Sequence, residues 1–402
     1  MDVKPNADKQ IRYQGVTMGC DPELFFERGG QIIGAEKVIP EKGLDSKRTD
    51  PREYGVDKEK AFVLDGVQVE LNPNPHYCRG GMGLELRTSF RTLRAHLAGM
   101  KDIKASFRSV VEVDPKELDS LSDRAKILGC APSKNLYDTQ AKITVDPEKY
   151  LKRSAGGHIH IGLNDDTNFP ALKQLMPYRE EVLVPLMDCL VGLPSVFVDR
   201  DPLAAERRKV YGRAGEYRLP EHGLEYRTLS NFWLRSYQTM SMVFGLTRLA
   251  VSVAATSYVR RTPPGRVGPK AKPYENWDAA EELIGGVDLE LVMKAINGSD
   301  LTLAKQAWKP VQNFITEHVK SDKAVGGDTG LNAELLGPFG YFTDKIEKHG
   351  IEYWFPQDPI EHWCAMPDQY AGNGWEAFMA NKVALEAAGQ KSDFTTVYGG
   401  KR

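Results

Sequence analysis

Four stretches in the first 235 residues alternate apolar and polar side chains at period two, the pattern of a strand with one face on a core. They are VTMGCDPELFF (16–26), FVLDGVQVELNPNP (62–75), GGHIHIGL (156–163) and HGLEYRTLS (222–230). Side chains two apart on a strand share a face. Asp21 and Glu23 therefore share one in the first stretch, and Gln68, Glu70 and Asn72 in the second. His158 and His160 share one in the third, and Glu225 and Arg227 in the fourth. The residues between them, Val67, Val69, Leu71, Ile159, Ile161 and Tyr226, are mostly apolar. Helical periodicity falls between these strands, at 86–100, 114–128 and 168–192, the last two reading as surface or sheet-covering helices.

Beyond residue 235 the pattern is helical. Helices are predicted over 234–261, 277–286, 289–298, 300–319 and 375–389. The segment RTPPGRVGPKAKPYE is too rich in proline and glycine for regular structure and reads as a connector, and the tail from 391 as a loose end. Strands first and helices later predict an α+β chain with an antiparallel sheet. The expected division is a core at 12–260, a connector at 261–276 and a mainly helical region at 277–402 that packs on the core.

Composition narrows the function. Lys plus Arg is 53 against 55 Asp plus Glu, a net charge of −2, which gives no electrostatic case for nucleic acid or a membrane surface. The five cysteines (20, 78, 130, 189 and 364) have no metal-ligand spacing and read as reduced thiols in a cytoplasmic setting. The first residues lack the apolar core of a signal peptide, and the most apolar run, 239–259, is interrupted by Arg248 and reads as a core helix.

The polar strand faces carry the chemistry. A solvated face is the ordinary reading of any single pair. Taken together, Asp, Glu, Glu, Asn, His, His and Glu form a ligand set for a hard metal with imidazole added. Carboxylates gathered on one face repel each other unless a cation sits among them. Arg207, Arg208, Arg213, Arg218 and Arg227 fall within 21 positions, where surface ion pairs with Glu206, Glu216 and Glu221 are the plain alternative. Guanidinium forks match phosphate and carboxylate oxygens. Divalent cations on carboxylates, with arginines for oxyanions, are what nucleotide-dependent phosphoryl transfer needs. The glycine-rich pieces GQIIGAEK and CRGGMG match neither a Walker loop nor a dinucleotide fingerprint.

In this order the motifs resemble the glutamine synthetase and glutamate–cysteine ligase superfamily, and within it the phage-encoded carboxylate–amine (COOH–NH2) ligases. MGCDPELFF is similar to the family's acidic-Pro-Glu strand, VQVELNPNP to its Leu-Glu-aromatic/Asn-x-Pro strand, GGHIHIG to its His-x-His strand, and RAGEYRLPEHGLEYRTLSNFWL to its Arg-rich segment. The resemblance covers residues 12–260. It implies a curved antiparallel sheet forming a funnel, covered by helices, that takes ATP and two or more Mg²⁺ (or Mn²⁺) ions. Carried over by position, Glu23 and Glu70 hold one metal, and Asp21, His158 and Glu225 the other. His160 and Arg208 lie towards the nucleotide, and Arg227 with Arg213 or Arg218 holds the γ-phosphate and acyl phosphate. Asp21 stands where the synthetases usually have Glu. Their further carboxylate after the second strand has only Glu85 as a candidate, and no small N-terminal domain is evident, so a dodecameric ring is not implied.

The implied reaction joins a carboxylate to an amine at the expense of ATP, with Asp65 as a candidate proton acceptor for the amine. The chemistry is compatible with a homo-oligomer and leaves both substrates open. The glycines of GGHIHIG are expected to let the backbone run close to the nucleotide. Two other readings stand beside this one. A metal hydrolase or cupin-like enzyme would use His158, His160 and a carboxylate, but none of His76, His96 or His222 has a motif that completes a three-histidine site. A phage structural or interaction protein would keep the ligase fold with an idle site.

Overall fold

The first alternating stretch does not run as one strand. It breaks at Asp21–Pro22, where proline has no N–H to give a ladder, and its halves enter different sheets. The structure is a computed structural model that describes residues 16–45, 60–76, 79–100, 102–127, 133–137, 146, 149–163, 175–261, 278–321, 339–340 and 342–366. The expected connector beyond 261, the helix at 375–389, the tail, Cys78 and Cys130 lie outside the described residues.

In chain order the strands are β1 (Val16–Cys20), β2 (Glu23–Arg28), β3 (Gln31–Ile33), β4 (Leu44–Asp45), β5 (Lys60–Asp65), β6 (Gln68–Leu71), β7 (Ile103–Ser106), β8 (Val110–Glu112), β9 (Lys134–Asn135), β10 (Lys152–Ser154), β11 (Ile159–Leu163), β12 (Glu216–Arg218) and β13 (Gly223–Tyr226). One antiparallel sheet has the order β1-β11-β13-β12-β9. A second has the order β3-β2-β6-β5-β4, with β7 also on β2, and β8 pairs with β10. The curled antiparallel surface is thus two sheets joined through the Asp21–Pro22 corner. The second alternating stretch is itself a hairpin, β5 to β6, turning at Gly66, whose φ of 62° suits glycine.

Register separates a polar face from a core face, because directly paired residues of antiparallel strands point the same way. Gly19, His160, Glu225 and Arg218 form one row across four strands. The adjacent row, Cys20, Ile159, Tyr226 and Tyr217, points the other way and is buried. In the second sheet Glu23 pairs with Glu70, and Asp65 with Gln68, on one face.

The helices supply the cover. They are α1 (Arg79–Leu97), α2 (Met176–Val198), α3 (Ala204–Val210), α4 (Tyr237–Arg261), α5 (Asp278–Gly286), α6 (Leu289–Gly298), α7 (Leu301–Ser321) and α8 (Pro359–Cys364). By length and composition α2 could cross a membrane, yet 94% of its most apolar window is buried and every side chain from Val182 to Val198 is inside. It is a core helix, where the sequence suggested a surface or sheet-covering one. The segment 114–128, expected as one helix, forms two short ones, Pro115–Asp119 and Asp123–Lys126. Asp114 and Ser122 each accept a backbone N–H at the start of one, so the second cap interrupts the run.

The helical C-terminal part packs on the rest. Arg87 donates to the Met366 carbonyl at 2.8 Å, Trp363 donates to the Leu234 carbonyl at 2.7 Å, and the Trp363 ring stacks on Phe90 at 5.3 Å. The α+β architecture, with antiparallel sheets, covering helices and a helical C-terminal part, agrees with the sequence reading.

Candidate active site

The corner at Pro22 sends two carboxylates one way each. Asp21 faces the sheet of β11 and β13, and Glu23 faces the β5–β6 hairpin. On the Asp21 side, His158 Nδ1 lies 3.0 Å from Asp21 Oδ1 and 3.5 Å from Glu225 Oε1, while His160 Nε2 lies 3.2 Å from Asp21 Oδ2. Arg227 Nη1 donates to Glu225 Oε1 at 2.6 Å, and Arg218 Nη1 is 3.7 Å from Glu225 Oε2. Burial raises the Asp21 pKa, but the contacts with His158 and His160 outweigh it and hold the carboxyl well below the usual range. Burial in turn lowers the pKa of His158, against the opposing pull of Asp21.

The Glu23 side is built almost entirely of acids. Glu23, Asp65 and Glu70 each bring an oxygen within 4.8 Å of the others. Glu23 is 3% exposed and accepts from the Gly156 N–H at 2.7 Å and from Gln68 Nε2 at 3.2 Å. Burial first, then the charges of Asp65 and Asp21, push its carboxyl up to about 8. A buried carboxylate among carboxylates takes a proton or a cation. Asp21, His160 and Glu225 likewise converge within 4.8 Å. Both donor sets, oxygen-rich with imidazole on one side, fit hard divalent ions.

Every residue expected to hold metal, Asp21, Glu23, Glu70, His158 and Glu225, is therefore at this corner. His160, expected nearer the nucleotide, joins the Asp21 group. Asp65, expected to act on the amine, sits among the Glu23 carboxylates because the tight hairpin sets it opposite Gln68, on the face of Glu70.

The arginine cluster divides. Arg227 and Arg218 reach Glu225, and Arg213 turns to the buried Glu216 at 3.6 Å. Arg208 is not at the site, contrary to the sequence reading. It is 2% exposed and donates to the Ile296 carbonyl and, at 2.9 Å, to Ser299 Oγ, capping the C-terminal end of α6. Arg207 donates to the carbonyls of Thr228 and Leu229 at 3.0 and 2.8 Å, anchoring the chain just past Arg227.

Two further residues enter from elsewhere. Tyr211 Oη hydrogen-bonds with His158 Nε2 and accepts from Arg227 Nη2 at 2.7 Å. Nothing in KVYGR marks that tyrosine, since it follows a helix and carries no strand periodicity. Glu85 lies inside α1, buried, with Oε2 accepting from Asn74 Nδ2 at 2.8 Å, so it braces the LNPNP stretch. The glycines of GGHIHIG have a local reason. A Cβ on Gly156 would lie 2.5 Å from His158 Nε2, and one on Gly157 would lie 2.5 Å from Trp233 Nε1. They make room for the imidazole and the indole packed over them.

Comparison with known proteins bears on this segment of the chain. Residues 133–263, which carry His158, His160, Tyr211 and the arginines, match the family described as phage phiEco32-like COOH.NH2 ligase-type 2. Over that segment, about a third of its length, the chain is similar to the COOH–NH2 ligases. No curated protein matches the sequence. Among solved structures, the bifunctional glutathione synthetase from Pasteurella multocida is 12% identical with a TM-score of 0.32, over 86% of this chain and 58% of that one. A novel glutamine synthase homolog is 12% identical with a TM-score of 0.27, over 82% of this chain and 73% of that one. The matched segment supplies His158, His160, Glu225 and the arginines of the corner, and β2 with the β5–β6 hairpin supplies the Glu23 side.

Proposed function

We propose that the chain is an ATP- and Mg²⁺-dependent carboxylate–amine ligase that works through an acyl phosphate. The observation that carries this is the corner itself. Two adjoining donor sets, Asp21–His158–His160–Glu225 and Glu23–Asp65–Glu70, lie beside Arg218 and Arg227, and His158, His160, Glu225 and both arginines fall in the segment similar to COOH–NH2 ligases. In the first step a substrate carboxylate oxygen bonds to the terminal phosphorus of ATP and ADP leaves. In the second an amine nitrogen attacks the acyl carbon, phosphate departs with the electron pair of the broken C–O bond, and the proton lost by the nitrogen passes to that phosphate.

Bound divalent cations would neutralise the phosphate oxygens during transfer. Glu23, Asp65 and Glu70 are the residues to hold one, and Asp21, His158 and Glu225, with His160 alongside, the other. Arg227 and Arg218 orient the anionic oxygens of the transferring group and stabilise its charge. Both are held by Glu225 beforehand, so little reorganisation is needed when an oxyanion arrives. Because Asp65 lies among the Glu23 acids, its role shifts from proton acceptor to third carboxylate of that donor set.

The test is Mg·ATP turnover against pooled amino acids and peptides, with hydroxylamine added to trap an acyl phosphate as a hydroxamate. ADP formation that depends on a carboxylate, with hydroxamate accumulating, is the expected result. Absence of turnover in every pool, with Mg·ATP affinity unchanged in Glu23→Ala and His158→Ala, overturns the reading.

A further inference from the structure

We infer that Tyr211 is the positioning residue that sets the tautomer of His158 and ties it to Arg227; this rests on the metal reading of the Asp21 side. The phenol closes a ring of contacts. Its oxygen bonds His158 Nε2, and Arg227 Nη2 donates to it at 2.7 Å. Arg227 Nη1 continues to Glu225 Oε1 at 2.6 Å, and Glu225 Oε1 lies 3.5 Å from His158 Nδ1. The same Nδ1 is 3.0 Å from Asp21 Oδ1.

The tautomer follows from proton counting. A neutral imidazole carries one N–H. When the tyrosine hydroxyl donates to Nε2, the ring proton sits on Nδ1 and goes to Asp21. When Nε2–H donates to the tyrosine oxygen, the Nδ1 lone pair faces the oxygens of Asp21 and Glu225, an arrangement that needs a cation between them. The two states differ by a rotation of the hydroxyl and by the place of the ring proton, which is given up at Nδ1 and taken up at Nε2 by exchange with solvent. The Arg227 N–H occupies one lone pair of that oxygen in either state, which leaves the oxygen able to meet Nε2 as donor or as acceptor. A metal-bound histidine ordinarily gives its other N–H to such an acceptor, and this one is shared with the arginine proposed to meet the phosphoryl group.

The ring of Tyr211 is fixed independently of its hydroxyl. The Arg207 and Arg227 guanidinium carbons lie 5.0 and 5.3 Å from its centroid. Its N–H donates to the Arg207 carbonyl at 2.8 Å. Tyr211→Phe should therefore keep the fold and lose only the oxygen.

The experiment is titration of the full chain with Mn²⁺ alone, without nucleotide, read by the electron paramagnetic resonance of free Mn²⁺. Tyr211→Phe is expected to weaken binding roughly 10- to 100-fold, as loss of a partner behind a metal ligand does. In a His158→Ala background the same change is expected to do nothing more. Equal weakening in both backgrounds marks a merely structural role and overturns the inference, as does wild-type affinity in Tyr211→Phe. If His158→Ala itself binds Mn²⁺ like the wild type, the metal reading fails instead. A measurement without any variant guards against misfolding: long-range ¹⁵N–¹H correlation of His158 with Mg²⁺ bound is expected to show the proton on Nε2. A proton on Nδ1 in that state overturns the inference.

Discussion

The two sides of the Pro22 corner hold similar numbers of carboxylates in opposite electrostatic conditions. Asp21 and Glu225 have two imidazoles and two guanidiniums within reach, and Asp21 stays ionised despite its burial. Glu23 lies among Asp65 and Glu70, accepts from an amide and a backbone N–H, and is pushed up to about 8 despite the charge of Arg227. The first side is balanced before any ligand arrives. The second is a deficit that a proton or a cation must fill. Under the proposed function, charge demands a cation most strongly on the Glu23 side, while Arg218 and Arg227 on the other side meet the incoming phosphate.

The largest expected effect comes from making the balanced side resemble the other. Arg227→Ala removes the guanidinium that contacts both Glu225 and Tyr211. ATP turnover should fall about 10³-fold, in the range for an arginine that meets a transferring phosphoryl group. A kcat within tenfold of wild type would take Arg227 out of the reaction.

Next come paired neutral substitutions whose effects on the metal-free protein should differ in sign. Glu23→Gln and Asp21→Asn should each weaken Mn²⁺ binding about 100-fold, somewhat beyond what losing a supporting partner costs. Without metal, Glu23→Gln relieves repulsion and should raise the melting temperature, whereas Asp21→Asn breaks contacts to two histidines and should lower it, each by about 2–4 °C. Calorimetry of both variants in chelator decides. Two shifts of the same sign would abolish the contrast.

A pH series sharpens the contrast further. The Glu23 pKa is raised above its unfolded value, so its contribution to metal-free stability is complete in acid and is lost as pH rises through about 8. A cation competes with that same proton. Mn²⁺ affinity on this side should drop up to about tenfold per pH unit below 8, the limit for displacing one proton. Asp21, already ionised, adds no such slope over the same range. Titration at pH 6, 7 and 8 in wild type and Glu23→Gln reads the difference, and an unchanged slope in the variant would assign the proton elsewhere.

Much of this site was legible from period two alone, because strand faces are a local property. His160 and Glu225 fall opposite each other, and Glu23 opposite Glu70, as alternation on paired strands requires. What alternation could not show is where a strand ends. DPELFF reads as a continuation of VTMGC, yet Pro22 ends the ladder and divides Asp21 from Glu23. Nor does spacing separate an arginine at a site from one at a helix end. Arg208 and Arg218 look alike in sequence, and only the return of α6 to the arginine segment buries the first. Tyr211 was invisible for a related reason, since its partners lie 53 and 16 residues away.

Gly156 is where the two sides touch, and the smallest predicted effect lies there. Its N–H donates to Glu23 Oε2 at 2.7 Å, while the space its missing Cβ would fill is occupied by the His158 ring. Alanine at this position keeps the N–H and places a methyl 2.5 Å from Nε2, a separation that forces the imidazole aside. The Glu23 side should then retain its affinity and its pH slope. The Asp21 side should weaken by about tenfold, the low end for a displaced supporting contact. Mn²⁺ titration of Gly156→Ala, resolved into its two sites, measures both at once. Equal loss at the two would show that the corner responds as a single unit and that the contrast between its walls is not one of ligand geometry. Loss confined to the Asp21 side would show that a glycine in a histidine-rich strand is there for the ring beside it.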